Sequence, residues 1–108
     1  MSDSPVIMEL LAYAGYDHMI IDHEHSPTDS SSGQVLLQAI DAAHTSTQPI
    51  IRVPDHSSSY LKKILDSMRL PGGVLVPMVE DAATARKIVA ATRYPPSGIR
   101  GCGKLYVH

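Results

Sequence analysis

Four titratable side chains stand in a row, Asp22-His23-Glu24-His25, directly after the apolar run Met19-Ile20-Ile21 and directly before Ser26-Pro27. Imidazole changes charge near neutral pH, so a histidine in such a row is the side chain best suited to take a proton from a substrate and return it. The same four residues could be read as a metal cluster. Alternation along an extended segment puts only His23 and His25 on one side, however, and zinc sites normally recruit ligands from other segments too. A second short apolar run, Pro49-Ile50-Ile51-Arg52-Val53-Pro54, carries an arginine near its end, where a planar guanidinium can hold an array of oxygens in a defined plane. Cys102 is the only cysteine, which excludes an internal disulfide and a thiolate-rich metal site. Its use as a nucleophile would need a positioned base that the sequence does not show.

Such residues act together only if the chain brings them to one place. An apolar run of strand length that ends in charge is how a buried parallel strand presents a site at its carboxyl end. Ser4-Pro5 opens an amphipathic helix whose apolar members are Val6, Ile7, Leu10, Leu11 and Ala14, and Gly15 stops it. Residues 16–22 form the first strand. A polar patch follows, with Asp29 and Ser30 as caps, and Val35, Leu36, Ala39, Ile40 and Ala43 recur at helical spacing. Residues 49–54 make a second strand bounded by prolines. Ser57 to Ser59 cap a third helix with Leu61, Ile64, Leu65 and Met68 on its apolar side and Lys62 and Lys63 facing solvent. Residues 74–79 form a third strand. Glu80 and Asp81 then suit the start of a fourth helix along Ala82, Ala85, Ile88, Val89 and Thr92. Residues 93–103, rich in proline and glycine, read as an ordered loop. Met78 is expected to pack in the core, and His18, His44 and His56 to be structural or exposed.

This alternation specifies βα units, a parallel sheet and right-handed crossovers. Three strands cannot close a barrel, and a (β/α)8 barrel takes about 200 to 250 residues; with 108 residues the chain has less than half of one. Composition is globular, 44% hydrophobic and 19% charged. A net charge of -2 without a Lys/Arg run argues against a nucleic-acid surface. No apolar stretch approaches the roughly 20 residues of a membrane span, and the first residues lack the layout of a signal peptide. The expectation is a soluble, cytoplasmic protein that binds neither nucleic acid nor membrane.

Several ordered motifs now carry a resemblance. Asp22-His23-Glu24-His25-Ser26-Pro27, Pro49-Ile50-Ile51-Arg52-Val53-Pro54, Leu61-Lys62-Lys63-Ile64-Leu65-Asp66, Val76-Pro77-Met78-Val79 and Arg93-Tyr94-Pro95-Pro96-Ser97-Gly98-Ile99-Arg100-Gly101 together resemble the HpcH/HpaI aldolase family. The family contains metal-dependent class II pyruvate aldolases that act on 4-hydroxy-2-oxo acids. The resemblance implies a partial TIM-type (β/α)8 barrel of the phosphoenolpyruvate/pyruvate-binding superfamily, with about three parallel strands and four helices present. Residues 1–108 are then one partial domain, from the first helix through the fourth and the loop after it, with a divergent tail at 104–108.

Carried over residue by residue, the resemblance implies that His25 is the catalytic base, Asp66 the carboxylate that works with it, and Arg52 the contact for the 2-oxo acid. Gly101 and Cys102 match a loop that lines the substrate pocket, and Asp22 and Glu24 are expected to support the catalytic residues. The family uses a divalent cation, Mg2+, Mn2+ or Co2+, held by a Glu and an Asp on later strands, so no metal ligand falls on this chain. A homo-oligomer and a small 2-oxo acid substrate are also implied. Three departures stand out: the tail, a longer Leu70-Pro71-Gly72 turn, and His23, where relatives often have a small or apolar residue. Two other readings stay open. One is a non-catalytic remnant acting as an interaction module; the other is a citrate-lyase-like acyl-CoA lyase of the same superfamily.

Overall fold

The computed structural model describes residues 4–25, 30–67 and 72–101. Asp29, Met68 and Cys102, given roles above, lie outside the described residues. The elements follow the order α1 (Pro5–Tyr13), β1 (His18–Asp22), α2 (Ser30–Ala42), β2 (Gln48–Arg52), α3 (Ser58–Ser67), β3 (Gly73–Leu75) and α4 (Ala82–Thr92). The three strands are parallel in the order β1-β2-β3. The expected α/β architecture is therefore present, with three parallel strands and four helices alternating along the chain.

Local chemistry sets most of the boundaries. Gly15 ends the turn after α1 with φ 93, a left-handed conformation that costs glycine nothing. Asp81 caps α4 by accepting a hydrogen bond from the Thr84 N–H. The third strand is shorter than the apolar run 74–79 suggests. After Leu75 the backbone leaves the ladder, and Met78 takes φ 59, which turns its side chain outward. Met78 is 72% exposed and is not a core residue.

Alternation in the strands separates two faces. Met19, Ile21 and Ile51 point to the helices and join Leu36, Ile40, Leu61 and Ile64 in the core. Val53, Leu61, Ile51 and Ile64 are among the most deeply buried side chains, so the helix-facing layer is packed as a protein interior. The opposite face is more open among the described residues: Ile20 is 52% and Leu75 43% exposed, although Asp22 at its carboxyl end is buried. The α1 stripe differs from expectation as well. Met8 and Ala12, one turn apart, are the buried pair against α2, while Val6, Ile7 and Leu10 are exposed. Val35 of α2 is exposed too.

Candidate active site

Register places the charged pair. Asp22 is the Cα partner of Arg52, and Arg52 of Leu75, at the carboxyl ends of the three strands. By alternation Asp22 and Arg52 belong to the face that carries Ile20 and Ile50, away from the helices. Arg52 donates from Nε to Asp22 Oδ1 at 3.0 Å and from Nη2 to Asp22 Oδ2, a two-point contact between a guanidinium fork and a carboxylate. Asp22 is 1% exposed. Beyond the strand, the same Oδ1 accepts from the Glu24 N–H at 2.8 Å and the His25 N–H at 3.2 Å. One carboxylate thus fixes the arginine and the turn that holds the histidine. The Arg52 guanidinium holds the Asp22 carboxyl well below the usual carboxylate range; burial opposes this, and the two backbone N–H groups add to it. Asp22 in turn raises the pKa of Arg52.

Glu24 links the two functional groups. Its Oε2 lies 3.4 Å from Arg52 Nε and its Oε1 3.1 Å from His25 Nε2. The carboxylate against the His25 imidazole is accordingly that of Glu24. His25 is mostly exposed, with 70% of its side chain open. Asp66, expected as the partner of His25, is ion-paired here with Arg100 at 3.0 Å. The fold puts it there because α3 carries Asp66 one turn beyond Lys62 on the helix face towards residues 98–101. Gly101 lies on the same side, beside Lys62. The structure therefore gathers Asp22, Glu24, His25 and Arg52 at one point, and groups Asp66 and Gly101 at another.

Sequence reasoning missed a buried contact beneath the cluster. His23 is 7% exposed, and its Nδ1 is 2.6 Å from the hydroxyl of Tyr60 on α3. The two rings meet edge to face. A Cβ at Gly33 of α2 would overlap His23 Nε2 and come within 2.8 Å of Cε1. Gly33 is thus the residue that lets the imidazole enter. The signal available was the unusual His23; its partners lie 10 and 37 positions away and nothing local announces them.

The chemistry of the donor set decides whether a divalent cation fits here. Both Asp22 oxygens are occupied by Arg52 and backbone N–H groups, and both Glu24 oxygens face cationic or imidazole nitrogens. Among the described residues no group of three or more His, Cys, Asp and Glu side chains could hold a metal ion. The residues of this cluster do not form a metal cage.

Comparison with known proteins adds to this geometry. The sequence profile of the HpcH/HpaI aldolase/citrate lyase family matches residues 1–107. The chain is 42% identical over 99 residues to a hydroxypyruvate/pyruvate aldolase of Roseovarius nubinhibens, covering 92% of this chain and 37% of the relative. It is 45% identical over 95 residues to a 4-hydroxy-2-oxo-heptane-1,7-dioate aldolase of Salmonella dublin, covering 88% of this chain and 35% of that one. A crystal structure of a HpcH/HpaI aldolase/citrate lyase family protein from Burkholderia cenocepacia superposes with TM-score 0.87 at 37% identity, over 94% of this chain and 40% of that one. The chain thus spans little more than a third of the length of the curated relatives it matches.

Proposed function

Because the chain belongs to the HpcH/HpaI aldolase/citrate lyase family, we propose that it supplies the proton-transfer and anion-binding side of an aldehyde-lyase site. The reaction is the reversible retro-aldol cleavage of a 4-hydroxy-2-oxo acid to pyruvate, or a close analogue, and an aldehyde. The observation that carries this reading is the Asp22 carboxylate, which ties Arg52 and the His25 turn together at the carboxyl ends of β1 and β2, the rim where barrel active sites sit.

His25 takes the proton of the 4-hydroxyl. With Nε2 against Glu24, Nδ1 is the nitrogen left for that proton, and the Glu24 contact orients the ring. The C3–C4 bond breaks as C4 becomes the aldehyde carbonyl. Its electron pair passes into the 2-oxo acid as an enolate, which regains a proton at C3. Arg52 binds the developing oxyanion or the substrate carboxylate: Asp22 engages Nε and Nη2, and Nη1 has no protein acceptor among the described residues. Gly101 and Cys102 would border the substrate, and Asp66 would reach His25 only after leaving Arg100. A divalent cation, small 2-oxo acid substrates and assembly into a homo-oligomer in the cytoplasm complete the reading. The cation's ligands come from outside the cluster, and no step above runs through it.

The test is pyruvate release from 4-hydroxy-2-oxo acids, measured with the chain and added Mg2+, Mn2+ or Co2+. Replacement of His25 by Ala is expected to lower turnover on the order of 10²-fold or more. Unchanged turnover would remove His25 from the mechanism, and no pyruvate from the unsubstituted chain would defeat the lyase reading for it. One observation favours a second reading, an interaction module: the open sheet face around Ile20 and Leu75 is a surface that another polypeptide could cover.

A further inference from the structure

A second pocket lies on the far side of α3 from the His25 cluster. Successive helical residues turn by about 100°, so Lys62 faces away from Tyr60, which contacts His23. Lys62, Ser58 and Ser59 of α3 and Arg100 and Gly101 of the segment after α4 line a cavity of about 200 Å³. Adjoining it, and sharing Ser58, Ala91 and Ile99 with it, is a cleft of about 550 Å³ whose walls include Ile88. Lys62, Arg100 and two serines thus line the smaller cavity, and the larger cleft combines the apolar Ile88, Ala90, Ala91 and Ile99 with His56, Thr84 and Lys87.

The charges in the smaller cavity are not balanced. Arg100 is held by Asp66 through Nη2 at 3.0 Å and lies over the Tyr94 ring, its Cζ 4.5 Å from the centroid. Its side chain is only 14% exposed, and its Nε is buried with no hydrogen-bond partner, an arrangement that is costly unless an acceptor is supplied. Lys62 has no carboxylate partner among the described residues. The cavity therefore carries one positive charge in excess, with two serine hydroxyls beside it. At the shared wall Ile99 leaves 75% of its surface open, an apolar area that a bound hydrocarbon would cover.

We propose that this pocket binds a small monocarboxylic acid, its carboxylate between Lys62 and Arg100 with the Ser58 and Ser59 hydroxyls, and its short apolar body along Ala91, Ile99 and Ile88. In the smaller cavity a monoanion matches the charge that Lys62 and Arg100 leave over Asp66, Lys87 on the adjoining cleft adds to the attraction for an anion, and a dianion such as phosphate would meet the Asp66 carboxylate. The site has Gly101 and the Asp66–Arg100 pair in common with the lyase reading but none of Asp22, Glu24, His25 and Arg52, so amide shifts confined to one group or the other tell the two apart.

Titration of the chain with hexanoate, followed by amide shifts in 15N-labelled protein, tests this. Saturable shifts are expected at Ser59, Lys62, Ala91, Ile99 and Gly101 and not at Glu24 or His25, weakening as salt is raised. Lys62→Met keeps the stem and removes the charge, and should weaken hexanoate roughly tenfold, the loss of one charge-assisted contact. Hexylamine should not bind there. Absence of saturation, shifts centred on the His25 turn, unchanged affinity in Lys62→Met, or tighter binding of inorganic phosphate than hexanoate would each overturn the proposal. The shift map uses the unsubstituted chain and so decides the matter even if the variant folds poorly.

Discussion

Replacing Asp22 with Asn removes one charge and almost no volume. The amide oxygen can still accept from the Glu24 and His25 N–H groups, but the amide N–H2 meets the donors of Arg52, so the substitution isolates the ion pair. Leaving one member of a buried pair without its partner typically costs about 3–5 kcal/mol. Asp22 is 1% exposed, whereas the Arg52 side chain is 30% exposed and can regain water, which puts the expected loss for Asp22→Asn near the lower end, about 3 kcal/mol. With a urea dependence of about 1–3 kcal/mol/M, the unfolding midpoint should fall by about 1–3 M. The acid limb gives an independent sign. The folded Asp22 pKa lies below its ordinary 3.8, so its contribution is fully present above about pH 4 and is lost as pH falls through the folded value. The variant should lack that part of the acid destabilisation. A midpoint unchanged by the substitution, or an acid limb that remains as steep, would refute the reasoning, as would strictly additive shifts when Arg52→Met is combined with it.

Three other outcomes follow from packing and capping. Ile51→Ala, at a side chain 1% exposed in the central strand, should cost about 2–5 kcal/mol in the same urea titration. Gly33→Ala should destabilise by about 1–3 kcal/mol through overpacking against His23, and a His23→Ala, Gly33→Ala double variant should recover part of it; no recovery would show that the overlap is not the cause. Asp81→Ala removes the acceptor for Thr84 N–H, so amide exchange in the first turn of α4 should quicken while the core amides of β2 stay protected.

The order of helices and strands was legible because periodicity changes from helical to strand-like at each Gly, Pro or Ser boundary, and those signals are local. The end of β3 was not: residues 74–79 stay apolar throughout, and the left-handed Met78 is set by where the chain must go. In the site, Arg52 and the Asp22–His25 row were legible as chemistry at strand ends, and βα units dictate that the strands run parallel, but the register that sets Asp22 opposite Arg52 comes from the structure. What failed to show was partner choice. Glu24 sits next to His25 in sequence, yet its geometry beside both His25 and Arg52 depends on a turn made by Asp22. The Arg100 that engages Asp66 is 34 positions away, and its approach depends on how the segment after α4 folds back. Likewise, Val6, Ile7 and Leu10 satisfy a helical apolar pattern as well as Met8 and Ala12 do, and only packing against α2 selects the buried set.

Gly33 and His23 also restrict how this sequence can change. A glycine inside a helix forgoes about 1 kcal/mol relative to alanine, so most single steps at position 33 would gain helical propensity but for the imidazole above it. The two positions are therefore coupled: a side chain at 33 costs least where residue 23 is smaller than histidine, and a histidine at 23 fits best where 33 carries no Cβ. Residues ten apart in the chain, on a strand end and a helix, are bound into one evolutionary decision.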